Sequence, residues 1–183
     1  IYWYRKAAEG GLVDAMFNLG NCLYTHTRRD GSVFFNREGN HGGGDVGASM
    51  VWWDMAARKG HAKACLNMGD FCRKGFTTAS PTAGQQPNHH KEAYAWYLRA
   101  SQYGTETPHG NATVASLAQF YLGAYRYHGG CPGVSVDRKA GVAWWEKSAA
   151  KGCARSQREL RLLGLHSADA SSSMPYGMRR ILG

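Results

Sequence analysis

Residues 52–69 read WWDMAARKGHAKACLNMG, and residues 3–20 read WYRKAAEGGLVDAMFNLG. With a shift of 49, the two stretches share an aromatic pair, a small pair (Ala7-Ala8, Ala56-Ala57) and a glycine (Gly11, Gly60). They then share an alanine (Ala15, Ala64) and an apolar–glycine pair (Leu19-Gly20, Met68-Gly69). A third copy begins Trp96-Tyr97, Ala100-Ser101, Gly104 and resumes after inserted residues at Ala118-Gln119 and Leu122-Gly123. A fourth runs Trp144-Trp145, Ser148-Ala149, Gly152, Ser156-Gln157 and Leu160, with Arg161 where the others have glycine. All six tryptophans of the chain fall in two adjacent columns, Trp3, Trp52, Trp96, Trp144 and Tyr4, Trp53, Tyr97, Trp145. Such fixed-period self-similarity is the signature of a repeat architecture.

Each unit reads as two helices joined at a glycine. Residues four apart share a helical face, so the aromatic pair and the small pair alternate large and small on one side of helix A. The glycines Gly11, Gly60, Gly104 and Gly152 are predicted to end helix A, because glycine tolerates the left-handed conformation after a helix. Helix B follows with Ala, Leu and Gly, small enough for close approach. Asp137 and Asp45 each lie seven residues before a tryptophan, and Asn88-His89 takes that place in the third copy, which suits helix N-caps. The eight aromatic-column residues are expected to form the repeat core, since they recur in register as core positions must. One hairpin cannot bury both of its faces, so the units must stack.

The pattern W-Y-x-K-A-A-x-x-G followed by A-x-x-x-L-G resembles Sel1-like repeats, relatives of the tetratricopeptide repeat. The segment Gly133–Ala140 running into Trp144 and Gly152, and the segment Ala118–Gly123, match it best. The resemblance spans about residues 1–164, with repeats near 1–24, 45–72, 89–127 and 137–164, and leaves a polar tail at 165–183. It implies an all-α solenoid with a right-handed superhelix. It also implies an adaptor or assembly scaffold, a protein-interaction role with no shared catalytic residue and no cofactor.

Length and composition agree with a globular domain: 183 residues, 43% apolar and 19% charged. The formal net charge of +9 favours acidic partners, meaning other protein subunits with acidic surfaces, or RNA. No run of 18 apolar residues exists, so no transmembrane helix is expected. The five cysteines are odd in number and form no CxxC pair. Cys65 and Cys72 share a helical face but stand roughly 10 Å apart along it, too far for a disulfide. Reduced thiols and an intracellular reducing compartment, cytoplasmic or mitochondrial, are the expectation. The chain opens at Ile1 already inside a helical pattern, so more chain is expected to precede it.

Between the repeats, residues 25–47, 73–88, 105–113 and 128–136 carry the glycines and prolines of loops. Such insertions often decorate a binding face. Residues 138–183 hold nine Lys or Arg against three Asp or Glu. Arg155, Arg158 and Arg161 recur every three residues on the last helix with Lys151 one turn before, a basic stripe that is either a polar cap for the solenoid end or a docking site for an acidic partner. The leading expectation is a non-catalytic scaffold. The alternative is a structural subunit of a large mitochondrial or ribonucleoprotein assembly, contacting acidic protein or RNA through that helix.

Several short motifs invite chemistry and meet simpler explanations. His41-Gly42-Gly43-Gly44 resembles an oxyanion-hole segment but lacks a G-x-S-x-G partner. Ser148-Ala149-Ala150-Lys151 fits S-x-x-K, yet S-D-N and K-T-G are missing and Ser148 sits in the small-residue column. Cys22 with His26, His128 with Cys131, and the loop pair His89-His90 are half-sites, short of the four ligands of structural zinc. His61 is explained by starting a helix. Asn111-Ala112-Thr113 is a glycosylation acceptor of meaning only in a secreted chain. The paired aromatics fit a core better than a nucleic-acid stacking platform.

Overall fold

In a computed structural model the described residues are 1–25, 46–75, 89–106 and 112–165. The His41–Gly44 motif, His26, Asp45, Asn88, Asn111 and the tail from 166 onward lie outside them. The described residues form eight helices: α1 Tyr2–Glu9, α2 Val13–Thr25, α3 Val46–Arg58, α4 Ala62–Arg73, α5 His89–Glu106, α6 Ala112–His128, α7 Arg138–Ala150 and α8 Ala154–Leu162. Packing follows chain order, each helix against the one before and the one after, with a smaller α4–α6 contact. The architecture is all-α, built from sequential helix pairs.

Three of the four expected glycines end helix A by one shared device. Gly11, Gly60 and Gly152 adopt positive φ. The residue after each, Leu12, His61 or Cys153, donates its amide back to Ala7, Ala56 or Ser148. The glycine's own amide bonds Ala8, Ala57 or Ala149. This is the Schellman geometry, which satisfies carbonyls that the helix end would strand. Gly104 does not follow the expectation. It lies inside α5, which runs on to Glu106. A Cβ at Gly104 would stand 2.6 Å from the Ala115 Cβ, so the missing side chain lets α6 cross instead of ending the helix. His89 and His90 likewise open α5 and are not in a loop.

Two helix starts carry side-chain caps. The Asp137 carboxylate accepts the Ala140 amide at 3.0 Å. His61 Nδ1 accepts the Ala64 amide at 3.1 Å. That acceptor role puts the ring proton on Nε2, which lies 3.3 Å from Asp14 Oδ1. The buried ring also stacks on Phe17 at 4.4 Å, tying α2 to the α3–α4 turn.

The joint between consecutive helix pairs is a glycine–aromatic lock. A Cβ on Gly20 of α2 would stand 2.5 Å from the Trp53 indole, and one on Gly69 of α4 would stand 2.6 Å from the Tyr97 ring. Gly123 of α6 receives Trp145 in the same way. Each ring's polar edge then finds a partner on the receiving helix. Trp53 Nε1 donates to the Phe17 carbonyl and to Asn21 Oδ1. Tyr97 donates its hydroxyl to Asp70 at 2.7 Å. Trp145 Nε1 donates to the Phe120 carbonyl at 3.1 Å. Burying one such ring is worth about 3 kcal/mol, and its orientation is fixed by the edge hydrogen bond.

The locks divide the two aromatic columns. Trp53, Tyr97 and Trp145 of the second column are buried. In the first column Trp96 is buried, whereas Trp52 and Trp144 are half-buried at the margin of the core. Arg99 lies over Trp96 at 4.8 Å and Lys147 over Trp144 at 5.2 Å, covering that margin with cations. Trp3 and Tyr4 depart from the expected core, being 80% and 43% exposed. The physical reason is the missing receiver: no described helix presents a glycine to Tyr4 as α2 does to Trp53.

Candidate functional site

The basic stripe read from the sequence is exposed at all four positions, Lys151, Arg155, Arg158 and Arg161. It is not one patch. Arginines three apart on a helix step by roughly 60°, so Arg155 and Arg161 point about 120° apart. Arg155 leans onto α6, where it donates to the Tyr121 hydroxyl at 3.0 Å and lies 5.9 Å from the Phe120 ring centroid. Arg161 occupies the position that is a lock glycine in α2, α4 and α6.

Tyr121, whose hydroxyl accepts from Arg155, lines a cavity that the sequence did not reveal. Tyr121, Ala124, Tyr125 and His128 fall on one face of α6, at helical spacing. With Arg73 from the end of α4 and His90 from the first turn of α5, they line an open hollow of about 370 Å³. Tyr125 is buried and its hydroxyl is 2.9 Å from His90 Nδ1. Burial pushes that phenol up to about 12, so it stays neutral at physiological pH. Tyr121 stacks on Tyr97 at 4.6 Å, and the Arg73 guanidinium carbon lies 5.3 Å from its centroid. Arg73 is partly engaged by Asp70 at 3.8 Å. The floor is therefore aromatic, Arg73 places a guanidinium at the rim, and none of the lining side chains is a carboxylate. The only signal in the sequence was the Tyr121-Ala124-Tyr125-His128 stripe, and periodicity alone reads such a stripe as core.

The motifs that suggested catalysis or metal binding resolve structurally. Ser148 is fully buried, and its hydroxyl proton goes to the Ser116 carbonyl at 2.6 Å. It is not offered to Lys151, which is exposed. Cys131 is buried with its thiol directed at the His90 carbonyl, 3.4 Å away, while His128 is exposed and rests on Tyr127 and Trp145. Among the described residues no three His, Cys, Asp or Glu side chains gather as metal ligands. All five cysteines are unbridged, and burial pushes Cys65 and Cys72 up to about 12. No described helix is long and apolar enough to cross a membrane.

Comparison with known proteins gives the arrangement a context. No curated protein matches the chain. Among solved structures it is similar to a Sel1 repeat protein from Oxalobacter formigenes, 28% identical with a TM-score of 0.61, over 89% of this chain and 54% of that one. It is also similar in fold to a protective antigen of uropathogenic Escherichia coli strains that displays an SLR fold. That likeness is 23% identity and a TM-score of 0.62, over 88% of this chain and 28% of the antigen. The chain thus spans about half of the first protein and little more than a quarter of the second. The family model for the Sel1 repeat matches residues 1–12, 13–30, 39–61, 62–104 and 116–153. With tandem matches over most of its length, glycine-ended hairpins and aromatic locks between them, the chain belongs to the Sel1 repeat family.

Proposed function

We propose that this protein is a non-catalytic scaffold that holds partner proteins through cationic surfaces on its stacked helix pairs. Sel1 repeat domains are typically protein-interaction scaffolds and generally not catalytic. The observation that carries the reading is the placement of exposed arginines. Arg73, Arg155, Arg158 and Arg161 are exposed on α4 and α8, helices whose buried faces are used by the neighbouring helices. A solenoid whose helices pack mainly on their neighbours presents long surfaces for such contacts. Acidic protein surfaces complement a chain of net charge +9.

The test is affinity capture of the full chain from native extract at low salt, beside a variant carrying Lys151→Glu, Arg158→Glu and Arg161→Glu. A stoichiometric acidic partner, lost from the variant and eluted by salt, is the expected result. Sedimentation of the endogenous protein as a free species, with nothing captured at native abundance, overturns the reading.

A further inference from the structure

The cavity over α6 combines concavity and an aromatic floor with two guanidiniums, Arg73 in its lining and Arg155 on the hydroxyl of the lining Tyr121. Its volume of about 370 Å³ lies at the small end of ligand sites, room for a side chain or two and not for a folded surface. The rim is pre-organised. Arg155 is held by its hydrogen bond to the Tyr121 hydroxyl, and Arg73 by the Tyr121 ring and Asp70. Fixing these long side chains in advance removes part of the entropic cost of binding. A guanidinium is a planar fork matched to a carboxylate.

We propose that this cavity docks an acidic peptide segment of a partner protein, with carboxylates on Arg73 and Arg155 and a neighbouring small apolar side chain against Ala124. The inference rests on the scaffold reading and narrows it to one site and one ligand chemistry. Charge complementarity selects acid over base, since the Arg73 guanidinium lines the hollow, Arg155 is held on the hydroxyl of the lining Tyr121, and none of the lining side chains is a carboxylate. The aromatic rings select peptide over RNA. A single-strand platform needs open ring faces, whereas Tyr121 is already stacked on Tyr97 and overlain by Arg73. The buried Tyr125 has little face to offer.

The experiment is fluorescence anisotropy on the full chain with three labelled probes: a peptide of alternating glutamate and leucine, its glutamine–leucine counterpart, and an oligouridine of matched length. The acidic peptide should bind best. Arg73→Gln and Arg155→Gln should each weaken it about tenfold, the value of one charged hydrogen-bond contact. Lys63→Gln, which removes the same charge elsewhere on α4, should leave it unchanged. Ala124→Trp fills the floor without touching charge and should also weaken binding, which keeps the test decisive if an arginine variant fails to fold by circular dichroism. Binding that survives Arg73→Gln, Arg155→Gln and Ala124→Trp but falls with Arg158→Gln and Arg161→Gln overturns the cavity and leaves the scaffold reading standing. Tighter, cavity-dependent binding of the oligouridine overturns the peptide assignment. Failure of every probe, with a partner still captured from extract, also overturns the cavity alone.

Discussion

Ser148 of α7 donates its hydroxyl proton to the main-chain carbonyl of Ser116 on α6, across 2.6 Å. Ser156 of α8 in turn donates to the Ser148 oxygen at 2.7 Å, so two buried hydroxyls link three helices. Ser148→Ala strands the Ser156 hydroxyl without its acceptor. An unsatisfied buried donor costs about 1–3 kcal/mol, which urea unfolding should register in full. Removing both hydroxyls, in Ser148→Ala with Ser156→Ala, should recover much of that loss. A single variant as stable as the parent would show that the relay carries no stability.

The lock glycines make a sharper case. Gly20→Ala, Gly69→Ala and Gly123→Ala each gain up to about 1 kcal/mol of helix propensity. Each also drives a methyl into the ring that occupies the slot. Overpacking of this kind costs about 1–3 kcal/mol, so net destabilisation is expected, with a broader transition as neighbouring units uncouple. Arg161→Ala, at the same repeat position with no ring over it, should leave the melting temperature unchanged. Three neutral glycine variants would mean that the rings yield at no cost.

Thiol chemistry gives the pH dependence. Desolvation pushes Cys65 and Cys72 from 9.0 up to about 12, and at Cys72 the Glu92 carboxylate, 3.7 Å from the sulfur, adds to the effect. Burial raises Tyr125 from 10.0 to about 12 in the same sense. An acid held neutral in the fold and ionised more readily when unfolded favours folding only while both states stay protonated. Stability should therefore be flat below pH 9 and fall as pH rises from 9 toward 12. Urea midpoints across that range should show the fall, and Cys65→Ala or Cys72→Ala should flatten it. Ellman's reagent at neutral pH should spare these two thiols until denaturant is added. Rapid labelling of both in the native protein would contradict their burial.

His61 is expected to be replaceable only by another cap. His61→Asn keeps an acceptor for the Ala64 amide, while His61→Ala loses the cap at about 1 kcal/mol and the stacking on Phe17 besides. Thermal unfolding should rank the parent first, Asn next and Ala last. Equal stability of Asn and Ala would assign the residue's value to packing alone.

The repeat period, the hairpin turns at Gly11, Gly60 and Gly152 and the Asp137 cap were legible because each is set by residues close in sequence. What was not legible depends on distant partners. Trp52 and Trp53 look alike as text, and only Gly20, in the preceding unit, decides that Trp53 is the one sealed. Trp3 and Tyr4 share the sequence pattern yet lie open, no described helix offering them such a receiver. Gly104 carries the signature of a helix end, but its service is to Ala115, beyond an insertion. The α6 cavity needed side chains from α4, α5 and α6, which no single repeat contains.

Arg161 has a consequence for assembly. A solenoid joint is heterologous, and a joint that one copy can make with the next propagates without limit into a fibre. Trp3 and Tyr4 leave α1 with the protruding half of the lock exposed. At the α8 position equivalent to Gly20, Gly69 and Gly123 stands Arg161, an exposed residue with a long charged side chain in place of a glycine. A helix packing on α8 therefore cannot seat a ring there as Trp145 seats on Gly123, and a joint made on that face must use a register other than the glycine–aromatic lock.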